Sequence, residues 1–155
     1  MIKVNVITNN INWFNHVKNP NDYLDRKIKK LNSKNKDYLK KKLFFTLLLS
    51  DGKEIKKLNK KFRKKNKTTD VLSFPFQRKK ELNKKLKLEK EIYLGDVIIN
   101  LKKIKNKKLK KIFKIEFDRL WLHGLVHLFG HDHKKKRDFI KMKKIEEKYF
   151  DFIND

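Results

Sequence analysis

The sequence predicts an α+β fold, with a small mixed sheet of four strands packed against about five helices. Three observations predict it. Four short runs, IKVNVIT (2–8), LFFTLLL (43–49), DVLSFPF (70–76) and IYLGDVII (92–99), have the length and apolar character of strands. Between and after them lie stretches whose apolar residues recur every three or four positions, as on one face of a helix. No internal repeat and no linker-like shift in composition divides the 155 residues, so residues 1–155 are expected to form one domain with a real core.

Each element has its own warrant. Residues 2–8 alternate apolar and polar, the period of a half-buried strand. Asp22 is placed to cap a helix carrying Leu24, Ile28 and Leu31 on one face. The run 43–49 suits a strand buried on both faces. Ser50-Asp51-Gly52 turns the chain into a short helix with Ile55, Leu58 and Phe62 at helical spacing, ending near Arg63. Pro75 makes 70–76 an edge strand or a strand end, with Phe74 and Phe76 expected in the core. Residues 77–91, mostly Lys, Glu, Asn and Leu, read as an exposed loop or hairpin tip. After the strand at 92–99, Asn100 is expected to cap a Lys-rich helix. A further helix should begin between Leu109 and Phe113 and stop at Gly130, and a last one should span about 135–152.

The formal charge is +26, from 44 Lys+Arg against 18 Asp+Glu, which favours a polyanionic partner. The basic residues are overwhelmingly lysine, however. Arginine occurs only at 26, 63, 78, 119 and 137, and alanine is absent, a bias expected of an AT-rich genome. Part of the charge is therefore compositional. With no cysteine, disulfides, thiolate zinc sites and iron–sulfur clusters are excluded. No apolar run approaches the roughly 20 residues of a membrane span, and the start, MIKVNVITNN, lacks the apolar core of a signal peptide. A cytoplasmic location is the expectation.

Four of the five histidines fall in HGLVHLFGHDH (123–133). His123 and His127, at i and i+4, share one face of the helix and can grip one ion. The third ligand is His131 or His133. On a continued helix His131 would lie ~12 Å along the axis from His123 at ~1.5 Å per residue. Zinc–nitrogen bonds of ~2.1 Å cannot span that gap. The helix must stop, Gly130 tolerates the left-handed turn that stops it, and the chain can fold back to present His133. The spacing HxxxHxxGxxH is that of metzincin-type zinc sites, so one zinc ion on His123, His127 and His133 at the end of this helix is expected. Three protein ligands leave a fourth position open, as catalysis requires. Asp132 is expected to orient the turn or a ligand. Metalloproteases carry Glu directly after the first histidine, whereas this chain has Gly124, which makes a zinc peptidase a lesser alternative.

HGLVHLFGHDH resembles the HGxLHLxGxDH motif of the YbeY-like rRNA maturation factors. LNKKFRKKNKTTDVLSFPF (58–76) is similar to that family's LNxxYRxxDxxTDVLSFPF, and LGDVIIN (94–100) to its LGDIxI strand. The three motifs stand in the family's order over nearly the whole chain. The resemblance implies a single-strand-specific metallo-endoribonuclease. Its partners would be RNA, chiefly ribosomal RNA and the small ribosomal subunit, in 3′-end maturation and ribosome quality control. Neither DNA nor a membrane is implied. Arg63 falls on the motif arginine and would help hold substrate, a guanidinium being a fork for phosphate oxygens. Phe62 and Asn66 depart from the family's common Tyr and Asp, and the basic KKKR (134–137) stands where the family tends to be acidic. No acid identifies itself as the general base: Asp70 and Asp96 are candidates that read equally well as strand-end or turn residues, and the nucleophile is a water or the RNA's own 2′-hydroxyl. Few arginines or clustered aromatics are arranged for readout, so base specificity is expected to be weak. The alternative is a non-catalytic ribosome-assembly or RNA-binding protein with a metal site.

Overall fold

Strands and helices alternate for most of the chain, and the sheet has a parallel core with one antiparallel edge strand. The computed structural model describes residues 1–155. Strand β1 (Ile2–Thr8) runs parallel to β2 (Lys42–Ser50), β2 runs parallel to β4 (Glu91–Asn100), and β3 (Val71–Pro75) runs antiparallel to β4, giving the order β1-β2-β4-β3. The sheet is mixed, and β3 is an edge strand that ends on Pro75, where a missing N–H does no harm. One face of β2 (Leu43, Phe45, Leu47, Leu49) is fully buried beneath helices. The other face, Phe44, Thr46 and Leu48, is only half-buried, which corrects the expectation of a strand buried on both faces.

Helix α1 (Pro20–Lys34), α4 (Lys110–Leu128) and α5 (Lys136–Asn154) pack together on that buried face. Their apolar residues, among them Leu24, Ile28, Phe113, Phe117, Trp121, Met142 and Ile153, form one core with the sheet and with Trp13 from the 3₁₀ turn Ile11–Asn15. Helix α2 (Gly52–Arg63) covers part of the opposite face through Ile55, against Leu72 and Ile98. Helix α4 is buried on more than one side, because it lies between the sheet and α5. No helix is long and apolar enough to cross a membrane.

Four local expectations are corrected. The cap of α1 is Asn19, not Asp22: the Asn19 side chain accepts from the Asp22 N–H at 3.2 Å and donates to the Asp22 carboxylate at 2.6 Å, with Pro20 in the first turn. Residues 79–88 are not a loop but helix α3 (Lys79–Leu88), anchored by the buried Leu82 with Leu86 one turn on. Conversely, Asn100 caps only a single 3₁₀ turn (Leu101–Lys103). The lysines that follow offer no apolar face, and Ile104 alone is buried while the Lys105 and Asn106 N–H groups bond to the Glu116 carboxylate. Phe76 is 67% exposed and Phe62 60% exposed, so neither belongs to the core.

Candidate metal centre

Helix α4 presents His123 and His127 one turn apart, and its end is built as the spacing requires. The Gly130 N–H closes on the His127 carbonyl at 2.9 Å, and Gly130 takes φ +86°, which turns the chain back on itself. The Asp132 carboxylate accepts the His133 N–H at 2.7 Å and steadies the returning segment. One nitrogen from each of His123, His127 and His133 then lies within 4.8 Å of the others.

The tautomers suit a cation. The His127 Nδ1 lies 2.8 Å from the His131 carbonyl oxygen, which can only accept, so Nδ1 carries the proton. The His123 Nδ1 lies 2.7 Å from a Glu146 carboxylate oxygen on α5 and donates likewise. With both rings neutral, both Nε2 atoms are acceptors, and they stand 3.1 Å apart. Two acceptors at that distance repel unless a cation sits between them. Two nitrogens on one tetrahedral zinc stand ~3.4 Å apart, given bonds of ~2.1 Å. The residues present therefore fit a metal ion. Burial first, then the neighbouring His123, hold the His127 pKa below the usual imidazole value, which keeps the ring neutral for ligation. His131 contributes its carbonyl rather than its ring.

Gly124 has a steric reason. A Cβ there would stand 2.4 Å from Val97 Cγ1 on β4, and the Gly124 carbonyl accepts from the Ser73 hydroxyl at 2.8 Å. Helix α4 lies too close to the sheet for a glutamate at this position, where metalloproteases carry their base.

The histidines stand in a groove of about 1110 Å³ between α4, β3 and the start of α3. Arg63, at the C-terminus of α2, reaches the same groove, as do Asp70, Arg78, Lys79 and Lys134. Two of the five arginines thus line the groove that holds the three histidines. A search of family models matches endoribonuclease YbeY over residues 8–154. The chain belongs to the endoribonuclease YbeY family. It is 42% identical to the endoribonuclease YbeY of Pelagibacter ubique over 99% of this chain and 97% of that one. It is also 31% identical to that of Ehrlichia canis, over 97% and 92% respectively. A solution structure of a Thermotoga maritima protein shares the fold, with a TM-score of 0.53 at 22% identity, covering 99% of this chain and 89% of that one.

Within this YbeY fold, the sequence motifs locate the three histidines and Arg63 but miss their supports. Glu146 lies 23 residues beyond His123, in a Glu–Glu pair on a lysine-rich helix, and nothing local marks it. Of the two candidate acids, Asp70 lines the groove, while its carboxylate accepts the Val71 N–H at 2.8 Å. Asp96 is absent from the groove lining, its carboxylate taken by the Tyr93 hydroxyl at 2.5 Å. Phe62, in place of the family's Tyr, stacks edge-on against Phe74, outside the groove lining.

Proposed function

We propose that the chain is a zinc-dependent, single-strand-specific endoribonuclease that hydrolyses RNA phosphodiesters. Its role would be 3′-end maturation of small-subunit ribosomal RNA and ribosome quality control, in the cytoplasm. The observation that carries this reading is the convergence of one nitrogen from each of His123, His127 and His133 within 4.8 Å of one another, set in an arginine-bearing groove of a YbeY-family chain. His123, His127 and His133 would hold the ion, which supplies Lewis acidity and an acidified water.

The chain's own groups do the rest. Glu146 and the His131 carbonyl hold the two α4 imidazoles in the ligating tautomer. Arg63 offers its fork to the phosphate next to the scissile bond, and Arg78, Lys79 and Lys134 neutralise flanking phosphates.

The test is cleavage of a single-stranded ribosomal RNA fragment, beside its duplex form, with and without chelator, by wild type and His127→Ala. Cleavage should be confined to the single strand. It should vanish with chelator, return with added zinc, and be absent in H127A although RNA binding persists. Cleavage untouched by both chelator and H127A would overturn the zinc reading. Binding without cleavage in every lane would favour an assembly factor.

A further inference from the structure

A phenylalanine expected in the core stands instead at the lip of the groove. Phe76 is the first residue past β3, is 67% exposed, and lines the same groove as the three histidines, Arg63 and Arg78. Exposure alone means little, since single apolar side chains are common on surfaces. Phe14, Phe62 and Phe139 are also exposed, but they stand outside the groove, Phe139 in a separate small hollow behind His123 and His133. What distinguishes Phe76 is how firmly it is held. Its N–H donates to the Leu94 carbonyl at 2.9 Å, and the next side chain, Gln77, donates to the Tyr93 carbonyl at 2.9 Å. Opposite, Gly95 lets the backbones close up: a Cβ there would stand 2.2 Å from the Phe74 oxygen and 2.9 Å from the Phe76 nitrogen. The Phe76 ring meets Tyr93 edge-to-face, with centroids 5.6 Å apart. Tyr93 is in turn fixed by its hydroxyl to Thr46 at 2.8 Å and to Asp96. In such a T-shaped pair Phe76 keeps at least one ring face open.

An aromatic face braced by backbone bonds, in a groove that carries Arg63, Arg78, Lys79 and Lys134 against the carboxylates of Asp70, Glu81 and Asp132, matches an unpaired nucleobase. We infer that Phe76 is the stacking platform for one unpaired base of the RNA strand whose phosphates Arg63 and Arg78 hold. The inference rests on the endoribonuclease reading and deepens it. A base inside a duplex has both faces covered by its neighbours, so only a single strand can offer one to Phe76. Every base has a π-face, so the contact demands an unpaired base without choosing which one. Single-strand preference with weak base specificity follows from the same side chain.

The experiment is an abasic scan. A labelled single-stranded RNA, with one base removed at each position in turn, is titrated with cleavage-inactive H127A protein. One position should matter most, its abasic form binding about 5- to 100-fold more weakly, the range of base–aromatic stacking. Adding Phe76→Ala should weaken intact RNA by a similar factor and erase the sensitivity at that position alone. Phe76→Leu, apolar but without a π-face, should behave as F76A, whereas Phe76→Trp should keep the sensitivity. Unchanged abasic sensitivity in F76A, or F76L binding like its parent, overturns the inference while leaving the endoribonuclease reading standing. A parent protein that binds no RNA overturns both.

Discussion

Three imidazoles make a metal site only if each ring presents the correct nitrogen, and that choice lies outside the histidines. For His127 the constraint is local, the His131 carbonyl four residues on. For His123 it comes from Glu146 on a different helix, whose side chain is only 14% exposed. Groups that orient ligating histidines are typically worth 10- to 100-fold in metal affinity. Glu146→Ala should therefore lose about that much zinc affinity, read by competition with a chromogenic chelator. Glu146→Gln, which still offers an oxygen to the Nδ1–H, should lose less. Glu147→Ala provides the control: its neighbouring carboxylate pairs with Arg119 at 2.8 Å, well exposed, and its removal should leave zinc affinity unchanged. Equal losses in E146A and E147A would make the effect one of general charge on α5 and not of ring orientation.

At the scale of elements, the groove depends on short pieces that must end in the right place. Helix α2 carries Arg63 as its last residue, and it is pinned at both ends. Asp51 accepts the Lys53 and Glu54 N–H groups at 3.0 and 3.1 Å. At the other end Lys64 takes φ 54°, and the buried Asn59 amide donates to the Lys67 carbonyl at 2.8 Å. The Glu54 N–H bond, above all, holds the Asp51 carboxyl below the usual carboxylate range. The folded state thus binds this proton less readily than the unfolded chain, and the cap's contribution is present above the unfolded pKa of ~3.9 and lost as pH falls through the lower folded value. Asp51→Ala should destabilise by about 1 kcal/mol at neutral pH. The wild-type advantage should shrink as pH drops below ~4, in denaturant titrations of both proteins. A constant difference down to acid pH would show that the cap does not act through its charge. Elements of this kind are where sequence reading succeeded and failed for identifiable reasons. The four strands were legible because each is a short apolar or alternating run bounded by polar or turn residues, and the α4 stop because Gly130 and the histidine spacing jointly require it. Helix α3 was not, since one buried leucine among lysines gives too little periodic signal. Phe76 looked like core because a strand's apolar run does not say where the sheet's cover ends. Glu146 was invisible because its role exists only once α5 docks on α4.

For the molecule as a whole, the charge and the site do separable work. No lysine or arginine is among the buried residues, so the basic surplus behind the net charge of +26 is at or near the surface. The one buried acid, Asp118, is already committed, bonded to Lys27 at 2.9 Å and to Tyr23 and Trp121 at 3.0 Å, where it ties α1 to α4. Capture of RNA is then a property of the surface, while cutting belongs to the groove. Each phosphate neutralised on a single strand contributes ~0.7 to the slope of log affinity against log salt. A strand meeting about six cations should give a slope near −4, or a loss of ~300-fold between ~50 and ~200 mM salt. Anisotropy of a labelled RNA should show this steep loss equally in wild type and H127A, because neither the histidines nor a bound ion generates the surface field. The turnover rate at saturating RNA should change little over the same range, since a strand already seated no longer depends on long-range attraction. If H127A flattened the slope, the metal centre itself would be supplying the attraction. If neither protein showed one, the lysines would be compositional alone, and the two arginines of the groove would carry the recognition of RNA by themselves.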